Sequence, residues 1–212
     1  VKQEDGVARQ TLETAIQGSS SSKLNAIMQE LDNVWNEDPG SKVLIFSQYL
    51  GFLDIMEESF RKNDIPFSRL DGKLSLKERM AVLKEFGSAD SSRIATGNGK
   101  TNRGSVLLIS MKAGGVGLNL VAANSCFICD SWWNESIERQ CLDRIHRIGQ
   151  QASKVRFRKF YVANTVEERI IELQKRKNSV ATHVLQDNAC GDGSNEGAAR
   201  PTLDDFRILF EG

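Results

Sequence analysis

The stretch KVLIFSQ, residues 42–48, sets four large apolar side chains in a row between a lysine and the polar pair Ser47–Gln48. A strand with one wet face alternates, whereas a strand covered on both faces reads as a continuous apolar run. GSVLLIS at 104–110 and SCFICDS at 125–131 have the same character. Helical patterns lie between these runs, and strand and helix in succession predict an α/β fold, a mostly parallel sheet with helices on both faces in three layers. In such sheets ligands bind beyond the carboxyl ends of the strands.

Working outward, Leu24, Ile27, Met28, Leu31, Val34 and Trp35 recur at helical spacing behind a serine cap and stop before Pro39–Gly40. A second helix is expected from about Leu50 to Asn63, with Leu53, Met56 and Phe60 inward. PFSRLDG reads as a strand ending in a turn, and Ser75 with Glu78 forms a capping box for a helix reaching about Phe86. After SCFICDS, Asn134 caps a helix expected to run through WWNESIERQCLDRIHRIG to Gly149. KVRFRKFYV alternates like a strand with one wet face, and Thr165 with Glu168 opens a last helix through about Thr182.

The flanks differ in composition. Residues 1–22 are polar and end in serines, a flexible lead-in. The folded unit spans 23–186 and carries a polar insert at 87–104. Residues 187–200 read as a disordered linker, and 201–212, RPTLDDFRILFEG with its preceding arginine, as a short amphipathic docking segment. A chain opening on valine reads as part of a longer polypeptide.

Charge balances at 28 against 28, so composition predicts no general grip on nucleic acid or an anionic membrane. One place where charge collects is 140–159, with six Lys/Arg against Asp143, either a solvated basic face or a local phosphate site. No apolar run approaches membrane-span length. Cys126 and Cys129 form a C-x-x-C inside an apolar run with no second pair or histidine cluster, so they read as core cysteines rather than metal ligands. GNGKT at 97–101 imitates the end of a phosphate loop, but that motif needs glycine where Ile94 stands.

Two segments are left for chemistry. SMKAGGVGLNL leaves the end of a strand with three glycines, which serve either a tight connection or backbone approach to an anion. QCLDRIHRIGQ at 140–150 sets Arg144 and Arg147 on one face of the expected helix, whose end can lie near the same sheet edge. Their guanidinium forks suit phosphate oxygens, or else pair with Asp143 and Glu138 on the surface.

Taken in order, KVLIFSQ, LDG, SMKAGGVGLNL and QCLDRIHRIGQ resemble the second RecA-like lobe of superfamily 2 helicase-like ATPases, specifically the SWI/SNF-type DNA translocases. The similarity covers roughly Lys23 to Lys177, and DRIHRIGQ is highly specific. RPTLDDFRILFEG resembles the tail of the subgroup typified by the helicase-like transcription factor, in which a RING ubiquitin-ligase insert precedes this lobe.

The resemblance implies a part for each motif. Arg147 would be the arginine finger on the γ-phosphate of ATP held by the first lobe, with Arg144 beside it and Gln140 near the same interface. Ser47, Gln48, Asp71, Gly72, Ser110 and Lys112 would lie along the phosphates of one strand of double-stranded DNA, and Trp133 would meet DNA or serve packing. Gly115, Gly117 and Asn119 would link that track to the nucleotide cleft, and His146 would orient the arginines or be structural. ATP and Mg2+ would be held mainly by the first lobe, whose phosphate loop and D-E-x-H box this chain does not contain, so the isolated chain is expected not to hydrolyse ATP. Chromatin remodelling or DNA repair in the nucleus, on nucleosomes or other duplex DNA, is implied as the setting. An RNA helicase lobe and a non-catalytic protein-interaction scaffold are the rival readings, against which RIHRIGQ and the set Gln140, Arg144 and Arg147 speak.

Overall fold

The computed structural model describes residues 21–88, 104–114, 120–150, 152 and 154–187, with no account of side chains beyond 177. The lead-in, the body of the polar insert, Gly115, Gly117 and Asn119, Cys190 and the closing segment 201–212 lie outside the described residues.

Eleven elements follow one another: α1 Ser22–Glu37, β1 Val43–Ser47, α2 Leu50–Lys62, β2 Phe67–Leu70, α3 Leu76–Gly87, β3 Val106–Ser110, α4 Met111–Gly114, β4 Ser125–Ile128, α5 Glu135–Leu142, β5 Arg156–Lys159 and α6 Val166–Asp187. The caps expected from sequence are present. Ser21 accepts from Leu24 N, Asn134 from Ser136 N, and Ser75 and Glu78 close a full capping box.

The five strands form one sheet in the order β2-β3-β1-β4-β5, and every pair is parallel. β1 and β3 are buried along their whole length, as their unbroken apolar runs require. One face packs Ile27, Leu31, Val34 and Trp35 of α1 and Leu53, Met56 and Phe60 of α2 onto Val43, Ile45, Val106, Leu108 and Phe127. The other packs Phe86 of α3, Met111 and Ala113 of α4 and Cys141 of α5 onto Leu44, Phe46, Leu107, Ile109, Cys126 and Ile128. Side chains alternate across a strand, so Leu44 and Phe46 serve one core while Val43 and Ile45 serve the other.

The winding direction reverses at β1. The chain leaving β1 turns onto the first face as α2, whereas the chains leaving β3 and β4 turn onto the second. Parallel crossovers are right-handed, so a reversal of winding direction puts outgoing connections on opposite faces. In sheets of this kind ligands bind outside the carboxyl ends of the strands at such a reversal, here at β1 between β3 and β4.

Three expectations need correction. The helix begun at Asn134 ends at Leu142 rather than at Gly149, because Arg144 O accepts from Leu120 N and Ile145 O from the Gln150 side chain instead of from a following helical turn. α6 continues to Asp187 rather than stopping near Thr182. In β5, Arg156 and Arg158 are held by Glu37 and Glu30 of α1, while Phe157 stays 36% exposed, so this edge strand has no single wet face. Among the described residues no helix is long and apolar enough to cross a membrane.

Candidate functional site

β1, β3 and β4 end level with one another, Ser47 opposite Ser110 and Phe46 opposite Ile128. Cys129 N donates to Phe46 O at 3.0 Å, which carries β4 one step further and sets Asp130 beside the turn leaving β1. Asp130 Oδ2 accepts from Ser47 Oγ at 2.5 Å and from Gln48 N at 2.9 Å. Burial pushes this carboxyl up, and those two hydrogen bonds and the nearby Lys23 pull it part of the way back. Ser47 is 0% exposed, and its hydroxyl also accepts from Tyr49 N at 3.1 Å. Gln48 is half-buried and Tyr49 is 59% exposed at the start of α2.

Asp71, at the end of β2, is buried. It accepts from Arg69 Nε at 3.0 Å and from Lys73 N at 2.9 Å, and Arg69 reaches on to Asp54 and Glu57 of α2. Gly72 follows in the open, where an added Cβ would meet nothing within 4 Å. Its φ is not positive either. Among the described residues neither packing nor backbone conformation calls for glycine there. Ser110 accepts from Ala113 N at 3.3 Å and so caps the short α4, with Lys112 turned outward between buried Met111 and Ala113.

The D-S-W-W-N turn after β4 is anchored by a buried polar network. Lys159 Nζ donates to both Glu138 oxygens at 2.9 and 2.8 Å and to Gln174 Oε1 at 2.8 Å. Glu138 accepts from Trp132 N at 3.1 Å, and Gln174 donates to Glu138 and to the Trp132 carbonyl. Glu138 is therefore turned inward and is not a surface partner of the arginines. Trp133, half-buried, lies with its ring centroid 6.3 Å from that of Trp132, and Lys177 Nζ stands 5.5 Å from the Trp133 ring.

α5 starts at the carboxyl edge and returns the chain toward the amino edge. Gln140 is exposed on it, Cys141 is buried beneath, and Arg144, Arg147 and Ile148 follow on a series of turns. Arg144 is half-buried and its carbonyl takes Leu120 N at 3.1 Å, next to the exit of the glycine-rich segment. Arg147 is exposed, Ile148 is 102% exposed, and Gly149 has φ +105°, a conformation glycine adopts without strain. Gln150 holds the turn from behind, donating to Ala123 O at 2.8 Å and Ile145 O at 3.2 Å. Ala123 precedes β4, so the arginine turn lies toward the amino edge and not near the edge that carries Ser47 and Asp71, a proximity the sequence had left open. The two groups are joined through α5.

Sequence reasoning missed Asp130, Glu138, Lys159, Gln174 and Gln150 as organisers of these sites. Asp130 had a signal, an acid directly after a buried strand at the carboxyl edge. The others had none, since their partners are brought in by the fold. Among the described residues no group of three or more His, Cys, Asp and Glu is placed to hold a metal ion. Cys126 and Cys129 are buried free thiols pushed well up by burial, the core role expected of them.

The profile of the helicase conserved C-terminal domain matches residues 22–149. The chain is 41% identical over 191 residues to DNA repair protein RAD5 of Cryptococcus neoformans, covering 90% of this chain and 14% of that protein. It is 44% identical over 167 residues to DNA repair protein RAD5A of Arabidopsis thaliana, covering 79% and 15%. The chain thus spans about one-seventh of the length of these relatives. Among solved structures it is similar to the C-terminal part of the Fun30 ATPase domain, at TM-score 0.63 and 32% identity over 73% of this chain and 46% of that one. The sheet described above is a RecA-like fold.

Proposed function

This chain belongs to the helicase conserved C-terminal domain family, in its SWI/SNF-type superfamily 2 branch, and on that premise we propose that it is the second motor lobe of an ATP-dependent double-stranded DNA translocase in DNA repair or chromatin remodelling. The observation that carries the proposal is Arg147, exposed on a turn pinned from behind by Gln150 and Leu120 and thus free to meet a second lobe. Closure of the first lobe would bring its bound ATP to Arg147, with Arg144 and Gln140 lining the same cleft. The guanidinium would stabilise charge developing on the transferred phosphoryl group, and a finger supplied across an interface is worth about three to five orders of magnitude in rate. Magnesium would enter with the nucleotide on the first lobe.

The carboxyl edge would hold the duplex. Gln48, Gly72 and Lys112 stand at its open side, while Ser47, Asp71 and Ser110 are buried or committed to their own turns, so their part would be to shape the track rather than to touch phosphate. Gly115, Gly117 and Asn119 would transmit closure between cleft and track, and Trp133 would flank the DNA. Such contacts position a duplex without reading sequence. Opening and closing would ratchet the track along it. Nuclear localisation and a RING-mediated link to the ubiquitin machinery in the whole protein go with this reading.

The test is ATP hydrolysis by the full-length protein. Turnover should rise with double-stranded DNA and not with single-stranded RNA, and Arg147→Ala should abolish the rise; RNA stimulation, or unchanged turnover in that variant, would refute the proposal.

A further inference from the structure

Ser47, which the family resemblance sets on the DNA phosphates, has no free hydroxyl to offer them: it is fully enclosed, donating to Asp130 and accepting from Tyr49 N. Ser47 therefore serves the turn it belongs to, and any contact with a ligand at this point falls to the residues that follow it. Asp130 is 4% exposed, and a single carboxylate oxygen takes both the Ser47 hydroxyl and the Gln48 amide. Those two bonds fix successive residues of the turn between β1 and α2, one on the side chain and one on the main chain. That turn begins α2 without any side-chain cap of its own, since Tyr49 makes no capping hydrogen bond. Its conformation is set across the sheet from β4.

Lys23 reinforces the arrangement. Its ammonium donates to the Cys129 carbonyl at 2.8 Å and pairs with Glu167, holding the residue just before Asp130 against α1 and α6. A buried carboxylate is expensive to keep without partners. Here its partners are the Ser47 hydroxyl and the Gln48 amide, the two groups that lead into the exposed Tyr49.

We propose that Asp130 is a positioning residue for duplex DNA, holding the Ser47–Tyr49 turn so that the Gln48 side chain and the exposed face of Tyr49 stand where a DNA backbone meets the carboxyl edge. This rests on the reading of the carboxyl edge as the DNA track, and it assigns Ser47 a structural bond to Asp130 in place of a phosphate contact. Arg147 lies at the other end of α5, so loss of the Asp130 bonds would weaken DNA engagement and spare the chemical step.

The experiment measures duplex-stimulated ATP turnover in the full-length protein, separating the DNA concentration at half-maximal stimulation from the maximal rate. Asp130→Ala should raise the half-saturating concentration by about tenfold, with the maximal rate within about twofold. Asp130→Asn, whose amide oxygen still accepts from both donors, should recover most of the affinity. Ser47→Ala should shift the half-saturating concentration in the same direction, and the Ser47→Ala/Asp130→Ala pair should be no worse than Asp130→Ala alone. Unchanged half-saturation in Asp130→Ala, or a loss that Asp130→Asn does not recover, would overturn the proposal; if Asp130→Ala fails to fold, unchanged half-saturation in Ser47→Ala overturns it. Arg147→Ala, run in parallel, isolates the parent reading: turnover that survives in it sinks the motor assignment whatever Asp130 does.

Discussion

The side-chain amide of Gln150 donates to the carbonyl of Ala123 at 2.8 Å, tying the turn that bears Arg147 to the residue leading into β4. A second bond from the same nitrogen reaches Ile145 O, and its oxygen accepts from Ala152 N. One side chain thus ties the Ile145 carbonyl of the turn to the residue before β4.

Replacing Gln150 should then uncouple the turn from the sheet. Gln150→Ala should cost about 1 kcal/mol in stability for the lost side-chain bonds. Gln150→Glu, which cannot donate and sets a negative charge against two carbonyls, should cost more. In the full-length protein both should lower maximal ATP turnover more than they raise the half-saturating DNA concentration. Chemical denaturation with steady-state kinetics checks this, and equal effects on both kinetic constants would contradict it.

The Glu138–Lys159 pair gives a stability prediction. Both side chains are largely buried and share Gln174 and the Trp132 backbone. Removing one partner leaves a buried charge, so Glu138→Met or Lys159→Met should each cost about 3–5 kcal/mol. The double substitution should cost clearly less than the sum of the two. Urea denaturation of the four proteins measures the coupling, and simple additivity would show that the pair is not acting as one unit.

Two glycines should respond oppositely. At Gly104 an added Cβ would lie 1.7 Å from the Ser41 carbonyl oxygen and 2.8 Å from Trp35 Nε1, against backbone that cannot yield cheaply. Gly104→Ala should destabilise by at least the 1–3 kcal/mol usual for overpacking, roughly. Gly72→Ala, with open space around it, should keep or slightly raise the thermal midpoint while weakening duplex binding in the full-length protein. A drop in thermal midpoint for Gly72→Ala would mean that an intramolecular reason for glycine exists there.

Cys141 predicts an alkaline dependence. Burial first, then the neighbouring Glu138, pushes its thiol up to about 12, with Arg144 opposing. A group raised in the fold stabilises fully below its unfolded value, near 8.5, and loses that contribution as pH rises through the folded value. Stability should therefore fall between those limits, and Cys141→Ala should flatten this part of the fall. Native Cys126, Cys129 and Cys141 should also resist alkylating reagents until the fold opens, because only the exposed thiolate reacts. Thermal midpoints against pH and mass spectrometry after brief alkylation read the two effects.

Much of this fold was written locally. The run from Val43 to Phe46, the apolar spacing of Leu53, Met56 and Phe60, and the Ser75–Glu78 box each depend on neighbours within a few residues, so periodicity and capping chemistry located them. The family motifs were equally local, since short runs such as DRIHRIGQ carry their residues in a fixed spacing.

By itself the sequence determined the parallel sheet between two helical layers, the element boundaries over most of its length, the core placement of Cys126 and Cys129, and membership of the helicase family. Only the tertiary structure decided that α5 stops at Leu142, that Glu138 turns inward to Lys159, that Asp130 captures the Ser47–Gln48 turn, and that the arginine turn stands apart from the carboxyl edge. The physical reason is the same in each case: the deciding hydrogen bonds join residues from different elements, and a carbonyl or carboxylate takes whichever donor the fold delivers to it rather than the one that sequence spacing would supply.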